Sequence, residues 1–219
     1  TDVKFYIVGY TGSVWTFEDI DAAPTLATTS SVYATRTVST APSGTIAALI
    51  GPANVRNWKP TGEAALSAVF ATGDFCEIVK LDGSKQFDLD SSGSVSVLAY
   101  VTSGVNWQTW LGVTESITWD STWRDAGNSF SGKSSVLVHH DAGSSAILVN
   151  GRMNGSAYNV PATAGFDGSR SFITGVDASG IWDIYAETGG SAAVYVLASF
   201  DDAASGPAIT DVNTDEALS

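Results

Sequence analysis

The feature that most constrains this chain is an internal repeat, because a sequence that duplicates itself must build one small unit twice. The series Phe75-Cys-Glu-Ile-Val-Lys-Leu-Asp82, Phe87-Asp-Leu89 and Ser94-Val-Ser-Val-Leu-Ala-Tyr100 has a later counterpart. It reads Phe172-Ile-Thr-Gly-Val-Asp177, Trp182-Asp-Ile184 and Ala193-Val-Tyr-Val-Leu-Ala-Ser-Phe200. The spacing drifts slightly between the pair Asp88/Asp183 and the pair Leu98/Leu197, and the Gly/Ser turn between them absorbs the drift. Upstream, Gly44-Thr-Ile-Ala-Ala-Leu-Ile50 is matched with Gly143-Ser-Ser-Ala-Ile-Leu-Val149. Ser30-Ser-Val32 is matched with Ser134-Ser-Val136, and Val14-Trp15 with Asn106-Trp107. The matches divide the chain into copy one, residues 1–101, copy two, residues 102–202, and a C-terminal extension, residues 203–219.

Each copy reads as β-structure. Short β-branched and aromatic runs alternate with Gly, Ser, Asp and Pro at the spacing of sandwiches and barrels. Strands are expected over Val3–Tyr10, Ser31–Val38, Thr45–Ile50, Phe75–Leu81, Val95–Val101, Ser135–His140, Ser145–Val149, Phe172–Val176, Ile181–Tyr185 and Ala193–Phe200. Helical periodicity is confined to Glu63–Phe70, about two turns between Gly62 and Gly73. The expected fold is all-β: two tandem β-sandwich domains of jelly-roll or Ig-like type, produced by duplication. At 44 % hydrophobic residues the chain can fill both cores. The opening strand is apolar on both faces, Val3, Phe5 and Ile7 alternating with Tyr6, Val8 and Tyr10. Such a strand belongs in the middle of a sandwich or beneath another subunit.

Charge and cysteine content narrow the partners. A net charge of −13 repels nucleic-acid phosphates and anionic membrane surfaces. No apolar run approaches the length of a membrane span. Cys76 is the only cysteine, so no intrachain disulfide exists and packing must hold the fold. The first residues, Thr1–Phe5, lack the charged and apolar regions of a signal peptide. Either a signal has been removed, or an initiator Met was trimmed before Thr1; the second, as in a virion protein released by lysis, is favoured.

Four patterns bear on chemistry. Gly127-Asn-Ser-Phe-Ser-Gly132-Lys133-Ser134 fits the phosphate-loop spelling, but phosphate capture needs an apolar strand before the loop and a helix after it. Here the preceding segment is polar and the following one is the strand-like Ser135-Val-Leu-Val-His139, so an inter-strand turn is the better reading and Lys133 is not expected to bind phosphate. His139-His140-Asp141 contains both histidines; adjacent strand residues point to opposite faces, so the pair cannot grip one ion, and a strand end reaching solvent is expected. Cys76 lies mid-strand with no obvious base, and no catalytic constellation is visible, so the chain is not expected to be an enzyme. Asp88, Asp90 and Ser92 before Gly93 resemble the first half of a calcium loop, which makes calcium the one candidate cofactor. The bidentate Glu of such a loop is missing, and an acidic hairpin turn is the plainer alternative.

Aromatic residues supply the remaining signal. Trp107, Trp110, Trp119 and Trp123 cluster at the start of copy two. Trp107 is matched to Trp15 and reads as core, whereas Trp110, Trp119 and Trp123 lack such counterparts and are candidate sugar or subunit contacts.

The closing segments, Gly180-Ile-Trp-Asp-Ile-Tyr185 followed by Ala193–Phe200, resemble the ends of tandem β-sandwich modules in phage virion and bacterial surface proteins. The likeness covers about thirty residues per copy. It implies a structural or recognition role and carries no catalytic residues over. The leading expectation is therefore a non-enzymatic structural protein of a virion or surface assembly, of capsid-decoration or head- or tail-fibre type. Its partners would be copies of itself or other virion or surface proteins, and its location the virion or extracellular surface. Alternatives are a carbohydrate-binding or adhesive module that contacts glycans, and an extracellular filament subunit in which Val3–Tyr10 enters a neighbour's sheet.

Overall fold

The structure is a computed structural model that describes residues 15–18, 23–26, 30–51, 55–65, 77–91, 94–141, 148–156 and 170–201. All regular structure among them is β, and no helix long and apolar enough to cross a membrane occurs there. The expected strand Val3–Tyr10, Cys76, Ser92, most of the candidate helix Glu63–Phe70 and the extension 203–219 lie outside the described residues.

The first half of the chain carries β1 (Trp15–Phe17), β2 (Thr25–Leu26), β3 (Ser30–Thr37), β4 (Ala47–Gly51), β5 (Val55–Lys59), β6 (Glu77–Lys80), β7 (Gln86–Ser91) and β8 (Val95–Val101). The second carries β9 (Val105–Trp107), β10 (Trp123–Asp125), β11 (Ser135–Asp141), β12 (Val149–Met153), β13 (Arg170–Gly175), β14 (Trp182–Ala186) and β15 (Ala193–Phe200). They form four antiparallel sheets, and no ladder among the described residues joins strands of different halves. In the first half the orders are β1-β8-β4-β6, with β2 also on β8, and β3-β7-β5. In the second they are β9-β15-β11-β13 and β10-β14-β12, the same scheme except that an isolated bridge, Thr114 to Tyr195, stands where the first half has β2.

The correspondence reaches single residues. Register shifts at Leu98, which is skipped between Ala99 and Val97 opposite Leu49/Ile50. It shifts identically at Leu197, skipped between Ala198 and Val196 opposite Leu137/Val138. A bulge inserts one residue and reverses which later side chains face which side. Asp82 Oδ1 accepts from the Ser84 and Gln86 main-chain N–H at 2.8 and 2.9 Å, and Asp177 Oδ1 accepts from those of Ser179 and Ile181 at 2.8 and 2.9 Å. These two side-chain-capped turns deliver Phe87 and Trp182, both fully buried, to equivalent places.

This registration corrects three matches read from the sequence. Gly44–Ile50 corresponds to Gly132-Lys-Ser-Ser-Val-Leu-Val138, because Ala47 pairs with Val101 as Ser135 pairs with Phe200. Gly44 and Gly132 both adopt positive φ, 80° and 74°, in the turns before β4 and β11. The counterpart of Ser30-Ser-Val32 precedes Trp123, not Val136, since β3 corresponds to β10. Trp107 corresponds to Phe17, not Trp15: Phe17 pairs with Ala99 and Trp107 with Ala198. In each case similar letters in a Ser- and Ala-rich chain outscored the true register.

The sheets pack over two apolar clusters in a β-sandwich-like, all-β architecture. Val136, Val138, Val194 and Val196 pack with Val149, Trp182 and Ile184 in the second half. Leu137, Leu197, Ala198 and Phe200, from the other face of the same β11–β15 ladder, join the first half's core with Trp58, Val79, Phe87 and Val101. The four-stranded sheet is thus covered on both faces. For this reason His139 and His140 are both buried, contrary to the expected solvent-facing strand end.

Candidate functional site

The three-stranded sheets each turn one face inward and one outward. On β14, Trp182 and Ile184 point into the core, so Asp183 and Tyr185 point out. Register places Trp123 beside Tyr185, Asp125 beside Asp183, and Arg152 beside Asp183 on the opposite edge. The outer face is therefore built from alternate residues of three strands.

These side chains form one connected arrangement. Arg152 Nε lies 2.9 Å from Asp183 Oδ2, both largely buried. Its guanidinium sits 4.5 Å from the centroid of Trp123, a cation–π contact. Asn154 Nδ2 donates to Asp183 Oδ1 at 2.9 Å and to Asp125 Oδ1 at 2.8 Å. The rings of Trp123 and Tyr185 are 5.6 Å apart and tilted by 54°. A planar cation, two carboxylates, an amide and two rings thus share one sheet face, a set suited to a hydroxylated, largely uncharged ligand.

The first half presents the same design with different chemistry. Lys59 Nζ lies 3.0 Å from Asp88 Oδ2 and 5.4 Å from the Tyr33 ring centroid. Thr35 Oγ1 donates to Asp88 Oδ1 at 2.8 Å. By register Tyr33 corresponds to Trp123, Thr35 to Asp125, Lys59 to Arg152, Asp88 to Asp183 and Asp90 to Tyr185. Burial works to raise the Asp88 pKa, but the Thr35 bond, Lys59 and the Gly62 main chain outweigh it and hold the carboxyl below its ordinary value. The Tyr33 hydroxyl is pushed up to about 12, first by burial and then by Asp90, Asp141 and Asp88. This face is acidic where its counterpart is aromatic.

The sequence candidates separate accordingly. Asp88 and Asp90 sit on one face of β7 because Phe87 and Leu89 fill the other, so their alternation follows from the strand period. Asp88 is engaged by Lys59 and Thr35, and Ser92 is not described. Among the described residues no three His, Cys, Asp or Glu side chains gather as a metal site. Trp110 packs 5.2 Å from Trp58 and donates its Nε1–H to the Ala64 carbonyl at 2.9 Å. Trp119 packs against the second core, and only Trp123 stands on the outer sheet face. The three indoles occupy three environments. Lys133 Nζ is 2.6 Å from Asp201 Oδ1, and β11 follows its turn directly. Tyr33, Lys59, Arg152 and Tyr185 were missed by sequence reasoning. Their signal was the cation one ladder pair away from each repeated aspartate, legible only once β5 and β12 are in register.

Comparison with known protein families, with curated proteins and with solved structures returns no match for this chain.

Proposed function

We propose that the chain is a non-enzymatic structural protein of a virion or surface assembly, made of two tandem β-sandwiches, residues 1–101 and 102–202, that arose by duplication. The supporting observation is the repeated cation–carboxylate–aromatic cluster on the two outer sheet faces, Lys59–Asp88–Tyr33 and Arg152–Asp183–Trp123. In both, charged groups are tied to one another across a rigid sheet, which suits a presented surface better than a reaction centre. Sedimentation velocity over a wide concentration range, with negative-stain microscopy of the same samples, tests it. Defined oligomers or ordered arrays are expected; a chain that stays monomeric throughout and decorates no particle would sink the proposal.

A second reading is favoured by one difference between the faces. Tyr185 stands where the first half has Asp90, giving the second face an aromatic pair beside Arg152, Asn154 and Asp125. This reading makes the β10–β14–β12 face a glycan contact. Screening against neutral oligosaccharides should then give binding that Trp123→Ala abolishes and Tyr33→Ala leaves intact. Equal loss from both variants, or none from either, refutes it.

A further inference from the structure

The two halves meet through an apolar core, and a polar chain runs across it beside the Trp110–Ala64 hydrogen bond. Glu77, on edge strand β6 of the first half, is buried beside the Trp58 indole, and the side chain and main chain of Ser171 hydrogen-bond its carboxylate. Ser171 lies on β13, an edge strand of the four-stranded sheet of the second half. Its Oγ is 3.0 Å from His139 Nδ1, and the two residues are cross-strand partners. The chain Glu77–Ser171–His139 therefore links β6 of one half to β13 and β11 of the other.

This chain has no duplicate. By register Phe172 takes the place of Glu77 in the second half, and Gly51 takes the place of His139 in the first. It exists only where the halves meet. Among the described residues Glu77 Oε2 has no hydrogen-bond partner. A buried carboxylate left partly unsatisfied is costly when ionised and much less so when protonated.

We propose that Glu77–Ser171–His139 is a proton-operated latch between the two halves, closed when Glu77 carries a proton and loosened when it does not. With Glu77 protonated, its O–H donates toward Ser171 and the Ser171 hydroxyl can donate to His139 Nδ1. With Glu77 ionised, the Ser171 hydroxyl turns to the carboxylate and His139 must supply the Nδ1 proton instead. The Glu77 proton leaves to solvent and the single imidazole proton passes from Nε2 to Nδ1, so one proton lost reverses the direction of the chain.

Groups around the chain set the range. Glu77 faces Ser171 from β13 and Trp58 from β5 and pairs with Ile50 on β4. Burial, the largest cause, raises its pKa to about 7, against the pull of the Ser171 bonds. His139 faces Ser171 and pairs with Tyr195 on β15, with His140 and Asp141 beside it on β11. Burial first, then His140, lowers its pKa to about 3, and Asp141 opposes this weakly, so the imidazole stays neutral throughout the Glu77 transition. Since the Glu77 pKa is raised from 4.5, its stabilising effect is complete below pH 4.5 and is lost as pH climbs through about 7.

The test is hydrogen exchange of the full chain, corrected for intrinsic rate, over the seam segments 55–65 and 105–112. Wild-type protection should drop several-fold between pH 6 and pH 8. Glu77→Gln should hold the protected state at every pH. Ser171→Ala should keep the transition and move its midpoint upward, because a bond favouring the ionised form is gone. An identical transition in wild type and Glu77→Gln, or none in wild type, overturns the latch. Should Glu77→Gln fail to fold, carboxyl NMR of the 13C-glutamate-labelled wild type decides. A glutamate near Ser171 titrating close to pH 7 supports the latch, and its titration below pH 5 overturns it.

Discussion

The two halves solve one packing problem from opposite sides. Lys59 pairs with Asp88 as Arg152 pairs with Asp183, which makes Trp58 and Gly151 equivalent. In the first half the Trp58 indole fills the space between β5 and β6, and Glu77 lies beside it. In the second half Phe172 enters from β13 and lies edge-on, 6.4 Å from Trp182. A side chain at Gly151 has no room, since an added Cβ would come within 2.7 Å of the Phe172 ring. Bulk comes from either strand so long as the other yields. The ladder is fixed by backbone pairing and the bulges, while the filling between sheets drifts, because cores tolerate exchanges that keep total volume.

The largest expected effect comes from removing the filling that spans the seam. Trp58 is fully buried and contacts Trp107 and Trp110, 6.1 and 5.2 Å away between ring centroids. Trp58→Ala should cost about 3–5 kcal/mol in urea unfolding. Phe172→Ala should cost less, because Phe172 is only partly buried. The comparison sharpens with a transplant: Trp58→Gly combined with Glu77→Phe copies the second half's solution into the first. The double variant should recover much of what Trp58→Gly loses, with a coupling of about 0.5–3 kcal/mol. Strict additivity would mean that the two positions do not share one space.

The same contrast explains what the sequence could reveal. β8, β11 and β15 were legible because Val, Leu and Ala runs buried on both faces leave few other readings. The repeat of Phe87 with Trp182 and Leu98 with Leu197 was legible because inward bulk and a bulge must recur at one place. β5 was illegible: Val55-Arg-Asn-Trp-Lys59 has no clear alternation, and its importance rests on Trp58 and Lys59 pointing to opposite faces. β7 was hidden by its own acids, since strand alternation and a calcium loop both place Asp at every second position. The site was illegible in outline because its cation, acid and ring come from three strands. Glu77 drew no separate reading within the strand Phe75–Leu81, because the Ser171 that meets it comes from β13 in the other half.

An intermediate effect is expected at the turn before β14. Gly180 has φ of 80°, and an added Cβ would lie 2.2 Å from the Phe130 and Ser131 main chain. Gly180→Ala therefore combines a left-handed backbone cost of about 1–2 kcal/mol with a forced displacement of that neighbouring loop. Thermal melts should show a loss of at least that size. A change under about 0.5 kcal/mol would mean that the loop moves freely and that this close approach is not a constraint.

The smallest effect is expected at the equivalent place in the first half, where Lys85 has φ of 59°. The turn is otherwise the same: Lys85 N–H donates to the Asp82 carbonyl at 2.9 Å, as Gly180 N–H donates to that of Asp177 at 2.8 Å. Lys85 keeps a side chain there, and its Nζ reaches the Ala41 carbonyl. Lys85→Gly removes left-handed strain of about 1–2 kcal/mol. It also adds freedom to the unfolded chain, worth about 0.4–1 kcal/mol, and loses a half-exposed hydrogen bond of about 0.5–1.5 kcal/mol. These terms nearly cancel, so the melting temperature should barely move while Gly180→Ala lowers it clearly. If Lys85→Gly instead destabilises as much as Gly180→Ala, the Lys85–Ala41 contact holds the first turn. The two turns would then be alike in shape only, each fixed by a different part of its surroundings.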